Sequence, residues 1–255
     1  MPAAPPLVTV VTPTLNSGRF LAETLASVRD QNHPRIEHIV VDGGSTDGTL
    51  DLLRGAASVR WISEPDRGLY DAINKGLRMA GGEILAYQNA DDRYVVPDAV
   101  SAAVAVFLEH PSVDVVYGDY RLIDEDGRPI GTRRVSARPF SVRRLERTSL
   151  VPPHAAFVHR RVVFDHGHWL DPELRLSGDW DWFLGMAQAG RSFRALPRVL
   201  SEFRVHPRSV TQTLGWRAIL TEWRRVCRKR QVSFSRLVWN ELVVASLRRR
   251  LRLPP

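Results

Sequence analysis

Short apolar runs and amphipathic segments alternate through the first hundred residues. The apolar runs are rich in β-branched residues and end in Gly, Pro, Asp or Asn, as buried strands do. These runs are residues 7–14, 36–42, 59–66 and 83–92. The segments between them carry apolar residues at helical spacing, at 18–31, from about Leu50, and at 68–80. This alternation predicts an α/β fold with a mostly parallel sheet flanked by helices.

The pattern changes after residue 110. Residues 113–124 and 127–135 predict an antiparallel pair of strands that turns at Asp126-Gly127, and residues 177–190 predict a helix. Two amphipathic helices are predicted from Trp216 onward. Their apolar faces are Trp216, Ile219, Leu220, Trp223 and Cys227 for the first, and Leu237, Val238, Leu242 and Leu247 for the second. We therefore expect one α/β domain at 1–215 and a helical extension at 216–255.

The charge of the chain lies in that extension. The chain has 255 residues, 44% of them hydrophobic, and a net charge of +8. From Trp216 onward there are eleven basic and two acidic residues, which leaves 25 basic and 26 acidic residues before it. The positive charge therefore belongs to the extension and not to the domain.

Cysteine content and terminal pattern narrow the class of protein. Cys227 is the single cysteine, so an intrachain disulfide and a cysteine zinc cluster are excluded. The first residues lack the basic region of a signal peptide, and no run approaches the roughly 20 apolar residues of a membrane span. We expect a cytoplasmic protein, either soluble or lying on a membrane surface.

Acidic and polar residues follow each predicted strand. They are Thr12 to Asn16, Asp42 and Asp47, Glu64 to Arg67, and Asn89 to Asp92. In an open α/β sheet these ends share one edge, where ligands bind. Converging carboxylates repel each other, and a divalent cation with phosphate ligands would offset that repulsion. An adjacent Asp pair alone is more often a turn or a helix cap, but its place after the fourth strand favours a cation site.

Six motifs occur in an order that resembles one known family. They are VTPTLN, IVVDGGSTDGT, SEPDRGLYDAINKG, NADD, YGD and SGDWDWFL, and the match covers roughly residues 7–210. Together they resemble the inverting glycosyltransferases of family 2, which have the GT-A fold. The resemblance implies metal-dependent transfer of a sugar from a nucleotide donor, most often UDP-linked, to a hydroxyl acceptor. It also implies a setting in bacterial polysaccharide or glycolipid assembly, with a lipid-linked glycan as one acceptor.

The same resemblance assigns residues to a nucleotide-sugar pocket. They are Pro13, Thr14, Asn16, Asp42, Asp66, Arg67, Asn89 and Asp91. Asp42 would accept a hydrogen bond from a uracil-type base, Asp66 and Arg67 would complete the base pocket, and Asp91 would hold the ribose.

The same resemblance assigns metal binding and proton transfer to three further residues. Asp92 would bind the Mn²⁺ or Mg²⁺ that bridges the diphosphate, His206 would be a further ligand, and Asp179 would be the general base. The chemistry is consistent with these roles. A metal neutralises the leaving diphosphate, and a carboxylate takes the proton of the attacking hydroxyl, so inversion needs no protein nucleophile.

Plainer roles compete for several of these positions. Asp179 lies near a helix start, where capping alone would explain it, and Asp181 lies about 200° further around the helix, so we prefer Asp179 as the base. Asp47 could act only within its own loop, and His154 could lie near the acceptor or be an ordinary loop histidine. Structural roles are favoured for five more residues: Asp71, Asn74, Trp180, Trp182 and Cys227.

The basic extension and the overall function each have alternatives. The extension could pack on the domain, bind RNA or lie on an anionic membrane. We favour the membrane, with Trp223 and Trp239 at its surface, and we expect no nucleic-acid partner because no nucleic-acid fold accompanies the charge. The alternative functions are a non-catalytic nucleotide-sugar-binding module and a sugar-nucleotide pyrophosphorylase. The pyrophosphorylase would need a glycine-rich loop that TPTLNSGRF does not supply.

Overall fold

A single nine-stranded sheet organises the described part of the chain, residues 4–137, 139–148 and 150–238 of a computed structural model. Its strands are β1 (Val8–Thr14), β2 (Ile36–Asp42), β3 (Val59–Ser63), β4 (Ile84–Tyr87), β5 (Arg93–Tyr94), β6 (Val115–Ile123), β7 (Pro129–Arg133), β8 (Ala156–His159) and β9 (Phe193–Arg204). The helices are α1 (Leu21–Arg29), α2 (Thr49–Gly55), α3 (Leu69–Met79), α4 (Ala99–Glu109), α5 (Val142–Leu145), α6 (Arg160–Phe164), α7 (Gly178–Gln188), α8 (Val210–Thr213) and α9 (Gly215–Arg230).

The first four long strands form the parallel half of the sheet. Their order is β3-β2-β1-β4, and all three pairings are parallel. The helices α1, α2 and α3 follow β1, β2 and β3 in the chain, as the alternation of apolar runs and helical spacing predicts. The α/β fold is therefore confirmed in this half, with strand ends within a few residues of the predicted bounds.

The second half of the sheet is mixed, which corrects the expectation of a mostly parallel sheet. The order continues β4-β8-β6-β9-β5. The pairings β4–β8, β6–β8 and β5–β9 are antiparallel, and only β6–β9 is parallel. The predicted hairpin is correct, because β6 and β7 pair in antiparallel fashion and Gly127 adopts φ 81° at the turn. The irregular sequence around β8 and β9 carries no clear period.

Both faces of the sheet are covered, because neighbouring residues of each strand point to opposite sides. Val11 of β1 and Leu85 of β4 pack in a cluster with residues of α3, α7 and α9. Val10 and Ile84, one position away, pack in a second cluster with residues of α4. Each buried aliphatic side chain contributes roughly 1.5–3 kcal/mol relative to exposure. This two-sided burial fixes the strand register and with it the edge where the strands end.

Helix α9 packs on the domain. Val226 and Cys227 are buried in the same cluster as α7, and Trp223 packs against that cluster. Of the predicted second helix, Leu237 is buried, whereas Trp239, Leu242 and Leu247 lie outside the described residues, as does the side chain of Trp216. The described residues of α9 thus pack on the domain, and contact of its outer face with an anionic membrane stays a prediction.

The outer face of α9 is basic. Arg217, Arg224, Arg225 and Arg228 are exposed on it. None of the helices that the structure describes is long and apolar enough to cross a membrane.

Candidate active site

The carboxyl ends of β1, β2 and β4 lie side by side, so the residues that follow them meet at one edge of the sheet. Thr14 of β1 pairs in register with Asp42 of β2, and Val11 of β1 pairs with Tyr87, the last residue of β4. Residues 89–92 follow directly. Open α/β sheets bind ligands at this edge. The structure therefore brings together the strand ends that the sequence predicts.

Asp42 is fully buried and is bound by its own loop. Its Oδ2 accepts hydrogen bonds from the backbone N–H of Gly44 (3.0 Å) and Ser45 (2.9 Å) and from the Ser63 hydroxyl (2.6 Å), and its Oδ1 accepts from the Ser45 hydroxyl. Burial acts to raise the pKa of the Asp42 carboxyl, but these hydrogen bonds outweigh it and lower the pKa. Asp42 thus shapes the 43–45 turn, and its contact with a base stays a prediction.

The loop after β1 is tied to the loop after β2 through Asn16. Its backbone N–H donates to the Ser45 hydroxyl (2.7 Å), and its Oδ1 accepts from the backbone N–H of Thr46 (2.9 Å). Asn16 adopts φ 51°, a left-handed conformation that Asn tolerates better than most residues. Pro13 and Thr14 are buried just before it. Pro13, Thr14 and Asn16, the three residues predicted to border the nucleotide, therefore lie at the end of β1 and in the loop that follows it.

Asp47 holds the same two loops together. Its Oδ1 accepts from the backbone N–H of Thr49 (2.9 Å), and its Oδ2 accepts from the backbone N–H of Gly18 (3.0 Å). Burial opposes these bonds, yet they lower the pKa of the Asp47 carboxyl. The loop-stabilising interpretation of Asp47 agrees with these contacts.

Asp66 and Arg67 follow β3 but point to different neighbours. Asp66 accepts a hydrogen bond from the backbone N–H of Gly68 (2.8 Å), and its carboxylate lies so close to Gly43 that a Cβ there would overlap it. The exposed Arg67 pairs with Asp71 at 3.0 Å. Asp66 is therefore joined to the loop after β2, as a shared base pocket requires, whereas the Arg67 guanidinium is engaged on α3.

The two adjacent carboxylates after β4 have different surroundings. The Asp92 side chain is 1% exposed, and its oxygens accept from the backbone N–H of Arg204 (2.9 Å) and from the Asn89 amide (3.0 Å). Burial first, and then the charge of Asp91, raise the pKa of Asp92 well above its usual value. The Asp91 side chain is 28% exposed. Metal binding by Asp92 stays a prediction, and the more exposed Asp91 carboxylate is a second candidate for it.

Asp91 and His206 form a pair at the surface of this edge. Nε2 of His206 lies 2.9 Å from Oδ2 of Asp91, and the imidazole packs against the Phe20 ring with centroids 5.0 Å apart. Nδ1 of His206 is buried and has no hydrogen-bond partner among the described residues. Two residues that are 115 positions apart in the chain are thus brought together.

Arg204, a buried arginine that the sequence patterns did not single out, supports the Asp91–His206 pair from the interior of the domain. Arg204 is 1% exposed, and its guanidinium donates to the backbone carbonyl of Asp91 (3.0 Å) and to the Glu23 carboxylate (2.7 Å). It also stacks over the Phe20 ring at 4.7 Å. Arg204 therefore fixes the backbone of Asp91, and its place two residues before His206 is the only sequence signal for it.

Asp179 lies at the start of α7 and is partly buried. The Tyr70 hydroxyl donates to its Oδ1 at 3.3 Å. Burial raises the pKa of the Asp179 carboxyl to about 6, against the opposing effect of the hydrogen bonds from the Trp180 backbone and from Tyr70. A carboxylate tuned to this range suits a general base near neutral pH.

Tyr87 connects the two acidic regions. It is the last residue of β4 and is buried. Burial raises the pKa of its phenol well above the usual value, and the charges of Asp179 and Asp92 raise it further. Both carboxylates therefore act on one phenol, which places α7 and the end of β4 around the same part of the molecule.

Asp181 faces away from that region. It is fully buried, and its carboxylate pairs with Lys229 (2.8 Å) and Arg230 (2.7 Å) of α9. The geometric reason for preferring Asp179 over Asp181 thus agrees with the structure.

Structural roles describe most of the remaining candidates. Trp180 and Trp182 are buried and donate to backbone carbonyls, Asn74 binds the backbone of Leu170, and Cys227 is buried with the pKa of its thiol raised to about 11 by burial. Among the described residues His154 is not a hydrogen-bonded loop histidine, and its place near the acceptor stays a prediction. It is buried between Tyr120 and Phe203, its ring nitrogens have no partner in the described chain, and burial lowers its pKa to about 3.

The donor set at this edge fits a cation only in part. Within the described ranges no three His, Cys, Asp or Glu side chains cluster as a metal site. Asp91 offers a carboxylate, His206 lies beside it, and Asn89 has a buried Oδ1 without a partner in the part of the chain described. Mg²⁺ and Mn²⁺ bind through one or two carboxylates and take phosphate and water as other ligands. These residues therefore fit a cation that is completed by a diphosphate.

Comparison with known proteins identifies the family. The profile described as glycosyl transferase family 2 matches residues 9–166. An uncharacterised glycosyltransferase of Mycobacterium tuberculosis is 36% identical over 187 residues, 71% of this chain and 69% of the relative. The putative teichuronic acid biosynthesis glycosyltransferase TuaG of Bacillus subtilis is 25% identical over 92% of both chains. A PGL/p-HBAD biosynthesis glycosyltransferase of Mycobacterium bovis is 33% identical over 70% of this chain and 69% of the relative.

Solved structures show the same fold. S. aureus TarS 1-349 in complex with UDP-GlcNAc superposes with a TM-score of 0.70 at 20% identity, over 87% of this chain and 65% of that one. A mannosyltransferase of Pyrobaculum calidifontis in complex with GDP-Man and Mn²⁺ gives 0.68 at 22% identity, over 92% and 69%. The family match decides against a pyrophosphorylase and against a non-catalytic binding module. With its strand-end acidic residues, its GT-A-like sheet and these relatives, the chain belongs to glycosyl transferase family 2 and is a glycosyltransferase.

Proposed function

We propose that this enzyme transfers a sugar from a UDP-linked donor to a hydroxyl acceptor with inversion of the anomeric carbon, and that Asp179 is its general base. The observation that carries the proposal is the Asp179 carboxyl, with its pKa raised to about 6 and its Oδ1 bound by Tyr70. The Asp179 carboxylate and the Asp92 carboxylate, which follows β4, both raise the pKa of the Tyr87 phenol.

Donor binding is assigned to the loops after β1 to β4. The loops that Asn16 links by a hydrogen bond and that Asp66 links by its contact with Gly43 would enclose the nucleoside, and Asp91 with His206 would face the diphosphate. Asp91, aided by Asn89 and His206, would hold Mn²⁺ or Mg²⁺. The buried Asp92, which accepts a hydrogen bond from the Arg204 backbone, would hold the loop that carries Asp91. A bound cation would supply neutralisation of the charge that develops on the leaving diphosphate.

Asp179 would act on the acceptor. As the acceptor oxygen forms its bond to the anomeric carbon, the bond from that carbon to the donor phosphate breaks, and the hydroxyl proton passes to Asp179. Attack from the face opposite the leaving group inverts the configuration in this single displacement. The Tyr70 hydrogen bond stabilises the ionised carboxylate that must be present before the reaction.

The names of the relatives support a setting in bacterial cell-surface glycan synthesis. A teichuronic acid and a PGL/p-HBAD biosynthesis enzyme are among them. A lipid-linked glycan acceptor would bring the enzyme to the cytoplasmic face of a membrane, where the exposed arginines of α9 would meet anionic headgroups. Co-sedimentation with anionic and neutral vesicles tests this contact, and equal binding to both would contradict it.

Donor and metal are expected to stabilise the fold together. UDP at about 100 times its dissociation constant should add roughly 2.7 kcal/mol to the free energy of unfolding. Mn²⁺ should increase the affinity for UDP and so increase the shift in melting temperature. The measurement is a melting curve with UDP, with UDP and Mn²⁺, and with UDP and chelator, with GDP as the control for the base. A UDP shift that is identical with Mn²⁺ and with chelator would contradict the metal assignment.

The pH dependence of activity is expected to report Asp179. Because the base must be ionised, kcat/KM should fall as the pH drops below about 6. Tyr70→Phe removes a hydrogen bond to the ionised form, so the acid limb should move to higher pH. Tyr94→Phe, a buried tyrosine in the cluster on the other face of the sheet, is the matched control and should leave the limb in place. An unchanged limb in Tyr70→Phe would count against Asp179 as the base.

A further inference from the structure

We infer that Glu222 of α9 is a positioning residue for Asp179, because it binds the turn that leads into α7. The inference rests on the proposed role of Asp179 as the base. Glu222 and Asp179 both lie outside residues 9–166, the region matched by the family profile. A residue of α9 would thus help to position the base that α7 carries.

The contact consists of three consecutive hydrogen bonds. Glu222 Oε1 accepts from the backbone N–H of Arg175 (2.6 Å), and Oε2 accepts from those of Leu176 (2.8 Å) and Ser177 (2.9 Å). Helix α7 starts at the next residue, Gly178, and Asp179 is its second residue. One carboxylate thus binds every backbone N–H of the tripeptide before the helix that carries the candidate base.

Glu222 places a negative charge at a helix start that has no local side-chain cap. Ser177 is the N-cap of α7, and in the described chain its side chain makes no capping hydrogen bond. A negative charge at this end is favoured by the helix dipole. The Glu222 carboxylate, 45 residues further along the chain than Ser177, supplies that charge while it binds the backbone just before the helix.

Asp179 is thereby held from two sides. Tyr70 packs directly against Gly178, where a Cβ would overlap its ring, and donates to Asp179. Glu222 holds the preceding turn from the side of α9. Burial is the main reason that the pKa of Asp179 is raised, and the Glu222 charge adds to it, as it does for the phenol of Tyr70. The Glu222 charge is therefore close enough to affect how the base titrates.

Other contacts fix α9 independently of Glu222. Lys229 pairs with Asp171 and Asp181 at 2.8 Å each, and Arg230 lies flat on α7 at Gly185, where a Cβ would overlap its guanidinium. Val226 is fully buried. Glu222 can therefore be changed while α9 stays in place, so the effect on Asp179 can be measured separately from the docking of the helix.

The test is Glu222→Gln in the full chain, with Glu173→Gln as the matched control. Gln keeps the size of the side chain but loses the charge and one acceptor oxygen. Glu173 is an exposed carboxylate just before the same turn. For Glu222→Gln we expect kcat to fall about five- to fifty-fold, in the range that small misplacement of a catalytic group produces, with the donor KM little changed. The acid limb of kcat/KM should move to lower pH, because a negative charge near Asp179 is removed.

A purely structural role would lower the folded fraction without moving the acid limb. Glu222→Gln with wild-type kcat and an unmoved limb would overturn the inference while leaving Asp179 as the base, provided that Asp179→Asn is inactive. An active Asp179→Asn would instead overturn the proposed function. Glu222→Ala should lower kcat further, and if it fails to fold, the Gln variant alone decides.

Discussion

Asp179→Asn is expected to lower turnover by about 10²–10⁴-fold, the usual contribution of a general base, and to make the protein more stable at neutral pH. The amide cannot accept the proton of the acceptor hydroxyl, so kcat falls, while the donor site around Asp42 and Asp91 is unchanged. Initial rates together with UDP binding measure this difference. Lost turnover with retained UDP affinity is the expected result.

The stability gain follows from the raised pKa of Asp179. Its pKa is about 6 in the folded protein and 3.8 in the reference state, so the folded state binds the proton more tightly. The stabilising effect of the protonated group is fully present below pH 3.8 and is lost as the pH rises through about 6. At pH 7 the ionised carboxylate therefore costs the fold at most about 3 kcal/mol, at 1.36 kcal/mol per pKa unit. Unfolding by urea at pH 7.5 and at pH 4.5 should show the variant's advantage shrinking in acid.

Asp181→Asn is the matched control, and its effect on stability should have the opposite sign. It leaves Lys229 and Arg230 without their buried partner, and breaking buried pairs costs about 3–5 kcal/mol, less here because both cations are partly exposed. Turnover of the folded fraction should fall less than in Asp179→Asn. If Asp179→Asn were instead destabilised and active, neither the buried charge nor the base could be as described.

The sequence predicts well the half of the sheet that contains β1 to β4, because the local hydrophobic periodicity there matches the structure. Strands β1 to β4 are continuous apolar runs with helices between them, so their type and parallel pairing follow from local periodicity. Strands β8 and β9 have no clear period, and their pairing with β4 and β6 depends on contacts between distant segments. The expectation of a mostly parallel sheet failed there for this reason.

The edge of the sheet that carries the candidate site could be located from the sequence, but the different surroundings of its two adjacent carboxylates could not. Asp91 and Asp92 are neighbours in one loop, and what separates them is the backbone N–H of Arg204, 112 residues away. Similarly, an Arg- and Trp-rich amphipathic helix looks the same whether it lies on a membrane or on its own domain. The contacts of Lys229 and Arg230 with Asp181 of α7 show the packing of α9.

Asp91→Asn and Asp92→Asn are expected to differ, with Asp91→Asn the more damaging to activity. Asp91 is the partly exposed carboxylate paired with His206, so its loss should remove most Mn²⁺-dependent transfer, about 10²-fold or more if the cation stabilises the leaving charge by several kcal/mol. The fold should be retained, because Arg204 binds the backbone carbonyl of Asp91 and not its side chain.

Asp92→Asn should cost less because the Asp92 carboxyl is buried with a strongly raised pKa, and Asn is the neutral isostere. The oxygen of the new amide would still accept from the backbone N–H of Arg204. Rates as a function of Mn²⁺ concentration compare both variants with Asp98→Asn, a surface carboxylate paired with Arg198. Loss of Mn²⁺ dependence in Asp92→Asn, with Asp91→Asn active, would return the cation to Asp92 as the sequence predicts and would require Asp92 to leave its buried position when the donor binds.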